Sequence, residues 1–74
     1  MQEAFSEYYK TISDNIKKLR NKLGLSQEKF AESIGCSREY VSRVENYHEH
    51  VSLDFILKLS FLYKIQPENF FQKL

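Results

Sequence analysis

Cysteine, proline and glycine are scarce in this chain of 74 residues, which holds one Cys, one Pro and two Gly. A lone thiol, Cys36, excludes an internal disulfide and fits a reducing compartment. Glycines at only two positions, 24 and 35, leave nothing that could serve as a glycine-rich phosphate loop. No apolar run approaches the roughly 20 residues that a membrane span requires. The N-terminal residues are polar and lack the apolar stretch of a secretory signal, so a cytoplasmic location is expected. An excess of one charge is missing as well. Eleven Lys and Arg stand against ten Asp and Glu, a net +1, and no polycation announces a nucleic acid.

What the chain does have is a core. Its composition is 42% apolar, with six Phe and five Tyr, too rich for disorder. The length makes residues 1–74 one domain, near the lower limit for a self-sufficient interior. Charge is also unevenly spread. Between residues 15 and 43 lie seven bases (Lys17, Lys18, Arg20, Lys22, Lys29, Arg38, Arg43) and three acids (Glu28, Glu32, Glu39), about +4, while the remainder is acidic.

Apolar spacing predicts helices throughout. Phe5, Tyr8 or Tyr9, Ile12, Ile16, Leu19 and Leu23 recur at steps of three and four. They predict an amphipathic helix from about residue 6 to 23, capped by Ser6 or Ser13, ended by Gly24, with residues 1–4 frayed. After a polar linker at residues 46–51, Ser52 caps a helix over residues 53–63 that is apolar on nearly every face. One side of packing cannot satisfy such a helix. Pro67 suits the first turn of a closing helix to about residue 73, with Phe70, Phe71 and Leu74 apolar. The sum is an all-α chain of five helices, without strand-like alternation or internal repeat.

Residues 26–46, SQEKFAESIGCSREYVSRVEN, organise the rest. Ser26 is a good N-cap, and Phe30, Ala31 and Ile34 share one stripe of a short helix. Gly35 stands where a helix stops in a left-handed conformation, and Ser37 caps a second helix. With Val41 and Val44 pointing inward, Glu39, Ser42, Arg43 and Asn46 turn outward, flanked by Arg38 and Tyr40. A short helix with such a polar row is shaped to read groove edges. An ordinary helical hairpin with a solvated face has the same periodicity.

On these residues the chain resembles the phage repressor and Cro-type, or Xre-like, helix-turn-helix family. The likeness is carried by IKKLRNKLGLSQEKFAESIGCSREYVSRVEN and, more loosely, by SLDFILKLSFLYKIQPENFF. Its most specific elements are Arg20, Leu25-Ser26-Gln27, Phe30-Ala31, Gly35, Ser37, Val41-Ser42 and Glu45. The resemblance implies a compact five-helix bundle of the lambda-repressor-like type, with the second and third helices forming the helix-turn-helix and residues 37–45 as recognition helix. It further implies a transcriptional regulator that binds double-stranded DNA as a homodimer on a (pseudo)palindromic operator. Carried over by position, Gln27 resembles the family's phosphate clamp, and Lys29, Asn46 and Tyr47 fall where phosphate is contacted. Arg20 and Glu45 match a pair that ties the first helix to the end of the recognition helix.

Base reading is expected from Ser37, Arg38, Glu39, Tyr40, Ser42 and Arg43. Arginine suits the two acceptors of guanine, and a carboxylate accepts from the cytosine amine. Tyr40 would stack on a thymine methyl or reach a phosphate. The loop departs from the family pattern, for Tyr47, Glu49 and His50 replace residues that are often basic, and Glu49 beside a phosphate is repulsive. Dimerisation is expected through Phe55, Phe61, Leu62, Phe70, Phe71 and Leu74, although the same side chains could instead pack on the first helix. His48 and His50 do not fill a zinc shell, so no metal is expected. Cys36 reads as a small turn residue rather than a redox switch. No nucleophile has a base and orienter, so no enzyme, cofactor or small-molecule ligand is expected. A protein-interaction module using the helix-turn-helix as scaffold is the rival reading.

Overall fold

The computed structural model describes residues 3–73, and all regular structure among them is helical. Four α-helices run α1 (Glu3–Leu23), α2 (Gln27–Ile34), α3 (Arg38–Glu45) and α4 (Leu53–Tyr63), followed by a 3-10 helix (Pro67–Phe71). The radius of gyration is 11.5 Å, close to the roughly 11 Å of a compact domain of this length.

Local chemistry sets most boundaries. Ser26 Oγ accepts from Lys29 N–H at 3.0 Å, Ser37 Oγ from Tyr40 N–H at 3.1 Å, and Ser52 Oγ from Phe55 N–H at 3.1 Å. Each satisfies one amide that the first turn of a helix leaves without a partner. At the end of α2, Gly35 adopts φ 84°, and the Gly35 and Cys36 amides both donate to the Ala31 carbonyl, at 2.9 and 3.0 Å. That left-handed step turns the chain into α3, and a side chain there would be strained. Arg20 and Lys22 lie in the last turn of α1, where positive charge favours the helix dipole.

Two expectations about boundaries are corrected. Glu3 and Ala4 are helical, so α1 begins three residues before residue 6. The closing element is a 3-10 helix of five residues, so the α-helices number four and not five. Pro67 opens it without an amide to donate, and its Asn69 N–H bonds Gln66 O at 3.0 Å, the tighter 3-10 register. α1 also binds the carbonyls at the C-terminal end of this element. Asn15 Nδ2 donates to Phe70 O at 2.9 Å, Gln72 O at 2.7 Å and, more weakly, Asn69 O at 3.4 Å.

The core joins Ile12 and Ile16 of α1 to Phe30, Ala31 and Ile34 of α2. Val41 and Val44 of α3, Phe55, Ile56 and Leu59 of α4, and Phe70 complete it. α4 lies against α2 and the 3-10 helix, and α1 against α3 and the 3-10 helix. Tyr63 joins α4 to α2: its hydroxyl shares a hydrogen bond of 2.6 Å with Ser33 Oγ, and its ring centroid is 6.2 Å from that of Phe30. This arrangement divides the expected dimer residues. Phe55 and Phe70 are only 6% and 2% exposed, because α2 and α1 cover the side of α4 and of the 3-10 helix that carries them. Both belong to the core of the single subunit. Phe61, 80% exposed, stands out with Leu53, Leu57, Leu62 and Phe71. Leu74 lies outside the described residues, as does the start of the segment expected to fray.

Candidate nucleic-acid interface

α3 carries the candidate surface, and three side chains hold it in place from behind. Arg20 Nε donates to Glu45 Oε2 at 2.6 Å and Arg20 NH2 to Glu45 Oε1 at 3.0 Å, a two-bond fork between α1 and the last turn of α3. Arg20 NH1 donates to Leu25 O at 2.8 Å, and Gln27 Nε2 to Glu45 Oε1 at 3.1 Å. Glu45 is buried, yet its carboxylate has three charge-assisted or amide donors, which is the condition for a buried charge to be tolerated. The fork raises the already high Arg20 pKa, through its hydrogen bond to Glu45. α1, the start of α2 and the end of α3 thus meet at one carboxylate, which fixes the angle at which α3 is presented.

On the other side, Val41 and Val44 are buried while Ser37, Arg38, Glu39, Arg43 and Asn46 are exposed and Ser42 is half-buried. Among the described residues, none buries Glu39 or Arg43. The exposed row is internally paired: Arg38 NH2 lies 3.6 Å from Glu39 Oε2, and Arg43 Nε donates to Glu49 Oε1 at 3.1 Å. Asn46 Nδ2 donates to Ser42 Oγ at 3.4 Å. All three arginines of the chain therefore face a glutamate, which lowers the free positive charge below what the sequence count suggests.

Tyr40 and Tyr47 both make contacts within the chain. Tyr40 is half-buried, its ring edge-on to Phe55 at 5.2 Å, so it belongs to the seam between α3 and α4 rather than to the outer row. Burial raises its hydroxyl pKa above the ordinary value, and Glu49 adds to the rise. Tyr47, in a left-handed conformation at φ 66°, sends its hydroxyl to Asp14 of α1, and Lys10 Nζ lies 5.1 Å from its ring centroid. Its hydroxyl is thus engaged on α1. Gln27 likewise uses its amide nitrogen inward, on Glu45, while Lys29 is exposed in the first turn of α2.

The loop after α3 reveals contacts that sequence reasoning missed. His50 stacks on Tyr9 of α1, with centroids 3.7 Å apart and ring planes within 4°. Among the described residues, no group of three His, Cys, Asp or Glu is arranged to hold a metal ion. Cys36 is half-buried in the turn, and burial pushes its thiol pKa up, against the pull of Lys58. Asn15 had no advance signal except a polar residue set beside the apolar stripe of α1, three residues after Ile12. No helix among the described residues is long and apolar enough to cross a membrane.

A family model described as helix-turn-helix matches residues 16–70. Over 45 residues, 61% of this chain, the sequence is 44% identical to a propionyl-CoA carboxylase regulator of Cereibacter sphaeroides, and the match spans 10% of that protein's length. Over 60 residues, 81% of this chain and 91% of the relative, it is 32% identical to an uncharacterized HTH-type transcriptional regulator, YgzD, of Bacillus subtilis. No solved structure matches the chain.

Proposed function

The chain belongs to the helix-turn-helix family of the phage repressor and Cro type, and on that premise we propose that it is a DNA-binding transcriptional regulator that reads the major groove with α3. One observation carries the proposal: a helix locked from behind by the Arg20–Glu45–Gln27 cluster leaves Arg38, Glu39 and Arg43 uncovered in front. Rigid presentation of a polar helix face is what direct readout of base edges requires. Arg43 and Arg38 supply donors for guanine, Glu39 an acceptor for the cytosine amine, and Ser37 and Ser42 hydroxyls that suit several edges. Lys29 and Asn46 flank that row and contact phosphate, while Gln27 braces Glu45 and Tyr47 ties the loop to α1. Tyr40 backs Arg43, whose Cζ lies 5.8 Å from the Tyr40 ring centroid.

Residues 1–74 act as a single DNA-binding domain in the cytoplasm, and two copies bind together. The second copy covers Leu57, Phe61, Leu62 and Phe71, apolar side chains that the monomer leaves exposed. Two-fold symmetry sets two recognition helices about 34–36 Å apart and predicts a palindromic operator with half-sites about 10–10.5 bp apart. Selection of bound sequences from a randomised duplex pool tests this reading. A symmetric site with that spacing is expected, and binding to random duplex should fall steeply with salt. Failure to enrich any sequence, with no salt-dependent retention of duplex, refutes it.

A protein-interaction module is the second reading. It is favoured by the pairing of all three arginines with glutamates and by the open apolar face of α4. The same selection discriminates, since a scaffold of this kind enriches nothing.

A further inference from the structure

The loop glutamate that faces the recognition helix has a use in sequence reading. We propose that Glu49 is a positioning residue for Arg43, aiming its guanidinium so that the terminal nitrogens meet a guanine, at the expense of general affinity for duplex. The inference rests on the DNA-binding reading above and adds a specificity determinant outside the recognition helix.

Three features of the structure support it. First, the bond from Arg43 to Glu49 is made by Nε, at 3.1 Å. Guanine presents O6 and N7 as two adjacent acceptors, and the fork of terminal nitrogens is the part of arginine that matches them. A carboxylate on Nε leaves that fork for the base.

Second, Glu49 does not dangle. The loop is tied to α1 on either side of it: two residues before, by the Tyr47 hydroxyl to Asp14, and one residue after, by the His50 stack on Tyr9. The His48 amide also donates to Arg43 O at 2.8 Å, closing the loop onto the end of α3. The anchors Tyr9 and Asp14 precede residues 16–70, so they lie outside the segment that the family model matches.

Third, the guanidinium is bounded on another side by the Tyr40 ring, itself immobilised against Phe55. A long side chain held by a carboxylate and a ring loses less freedom on binding than a loose one, and is more selective about which acceptors it can meet. The carboxylate near the phosphates has the opposite effect on affinity, because it repels every duplex equally.

Those two effects have different signs and are separable. Arg43→Ala on the selected operator locates the base pair that Arg43 reads. At that pair, Glu49→Ala is expected to lower the guanine-over-adenine preference by about fivefold or more. The same variant should bind random duplex more tightly at low salt, with unchanged melting because an exposed pair adds little stability. Glu49→Gln keeps an oxygen for Nε–H without the charge. It should match the gain on random duplex while holding the base preference within about twofold of the unmodified chain. A Glu49→Ala variant with the full preference, or a Glu49→Gln variant that loses as much of it, overturns the proposal. If the unmodified chain selects no sequence at all, the DNA-binding reading itself falls, before either variant is compared.

Discussion

Arg20 and Glu45, 25 residues apart, meet through two parallel hydrogen bonds of 2.6 and 3.0 Å, with 14% and 3% of their side chains exposed. Removing one partner leaves the other charged and buried, and breaking such a pair costs about 3–5 kcal/mol. That is a large share of the stability of a domain of this length. Arg20→Ala should therefore shift the urea midpoint strongly downward. Arg20→Lys should recover only part of it, because an ammonium cannot hold both carboxylate oxygens and Leu25 O together. A denaturation curve for Arg20→Ala that overlays the wild type would refute the structural role.

Asn15 ties the C-terminal segment to α1 through three backbone carbonyls. Truncation to alanine leaves the buried Phe70 carbonyl and two part-buried ones without this donor, a loss of about 1–3 kcal/mol. Asn15→Asp should be worse, since a carboxylate faces the same carbonyls with no hydrogen to offer. Chemical denaturation gives the stability, and amide exchange over residues 69–72 should rise in Asn15→Ala ahead of the rest of the chain. Uniform protection in that variant would contradict the anchoring role.

Much of the architecture was readable because its causes are local. Ser26, Ser37 and Ser52 cap the helices that follow them by a hydrogen bond three residues along, and Gly35 ends α2 through its own backbone freedom. The outward turn of Glu39, Ser42 and Arg43 follows from Val41 and Val44 alone. The long-range features were harder. Asn15 bonds carbonyls 54 to 57 positions away, which every residue offers, so no side chain marks them in advance. Phe55 and Phe61 look alike in a helix apolar on nearly every face, and only the arrival of α2 and the 3-10 helix on one side separates core from surface. Only family resemblance pairs Arg20 with Glu45 in advance, since their spacing alone carries no such information. Glu49 was expected to oppose phosphate, and its bond to Arg43 depends on a loop path fixed by Tyr47 and His50.

The contact between Asp14 and Tyr47 predicts how stability varies with pH. Chiefly the Tyr47 hydrogen bond, helped by Lys10, holds the Asp14 carboxyl below its ordinary value of 3.8. The unfolded chain takes up that proton first as pH falls, so the contribution is complete above about pH 4 and fades as pH drops through the lower native value. Tyr47 is shifted the other way, raised above 10.0 mainly by its bond to Asp14. Its contribution is present below the unfolded value and is lost as pH rises through the native one. Melting of Asp14→Asn should lie below wild type at neutral pH, the gap closing in acid. Tyr47→Phe should show its gap closing in alkali. Gaps that stay constant across both limbs would show that the pair is not coupled to folding.

Phe61 decides whether the open face of α4 meets a second copy. Phe61 is 80% exposed beside Leu57 and Leu62, a placement that adds little to the fold of one subunit. Phe61→Ala should leave monomer stability within about 0.5 kcal/mol of wild type, as exposed substitutions do. In a two-fold interface the ring is buried twice, at about 1.5–3 kcal/mol for each copy. The dimer should therefore weaken by about 3–6 kcal/mol, on the order of 10²- to 10⁴-fold in its dissociation constant. Sedimentation equilibrium of both proteins measures this directly. A wild type that stays monomeric at high micromolar concentration, or a Phe61→Ala dimer as tight as the parent, removes α4 from the interface and leaves its apolar face to a different partner.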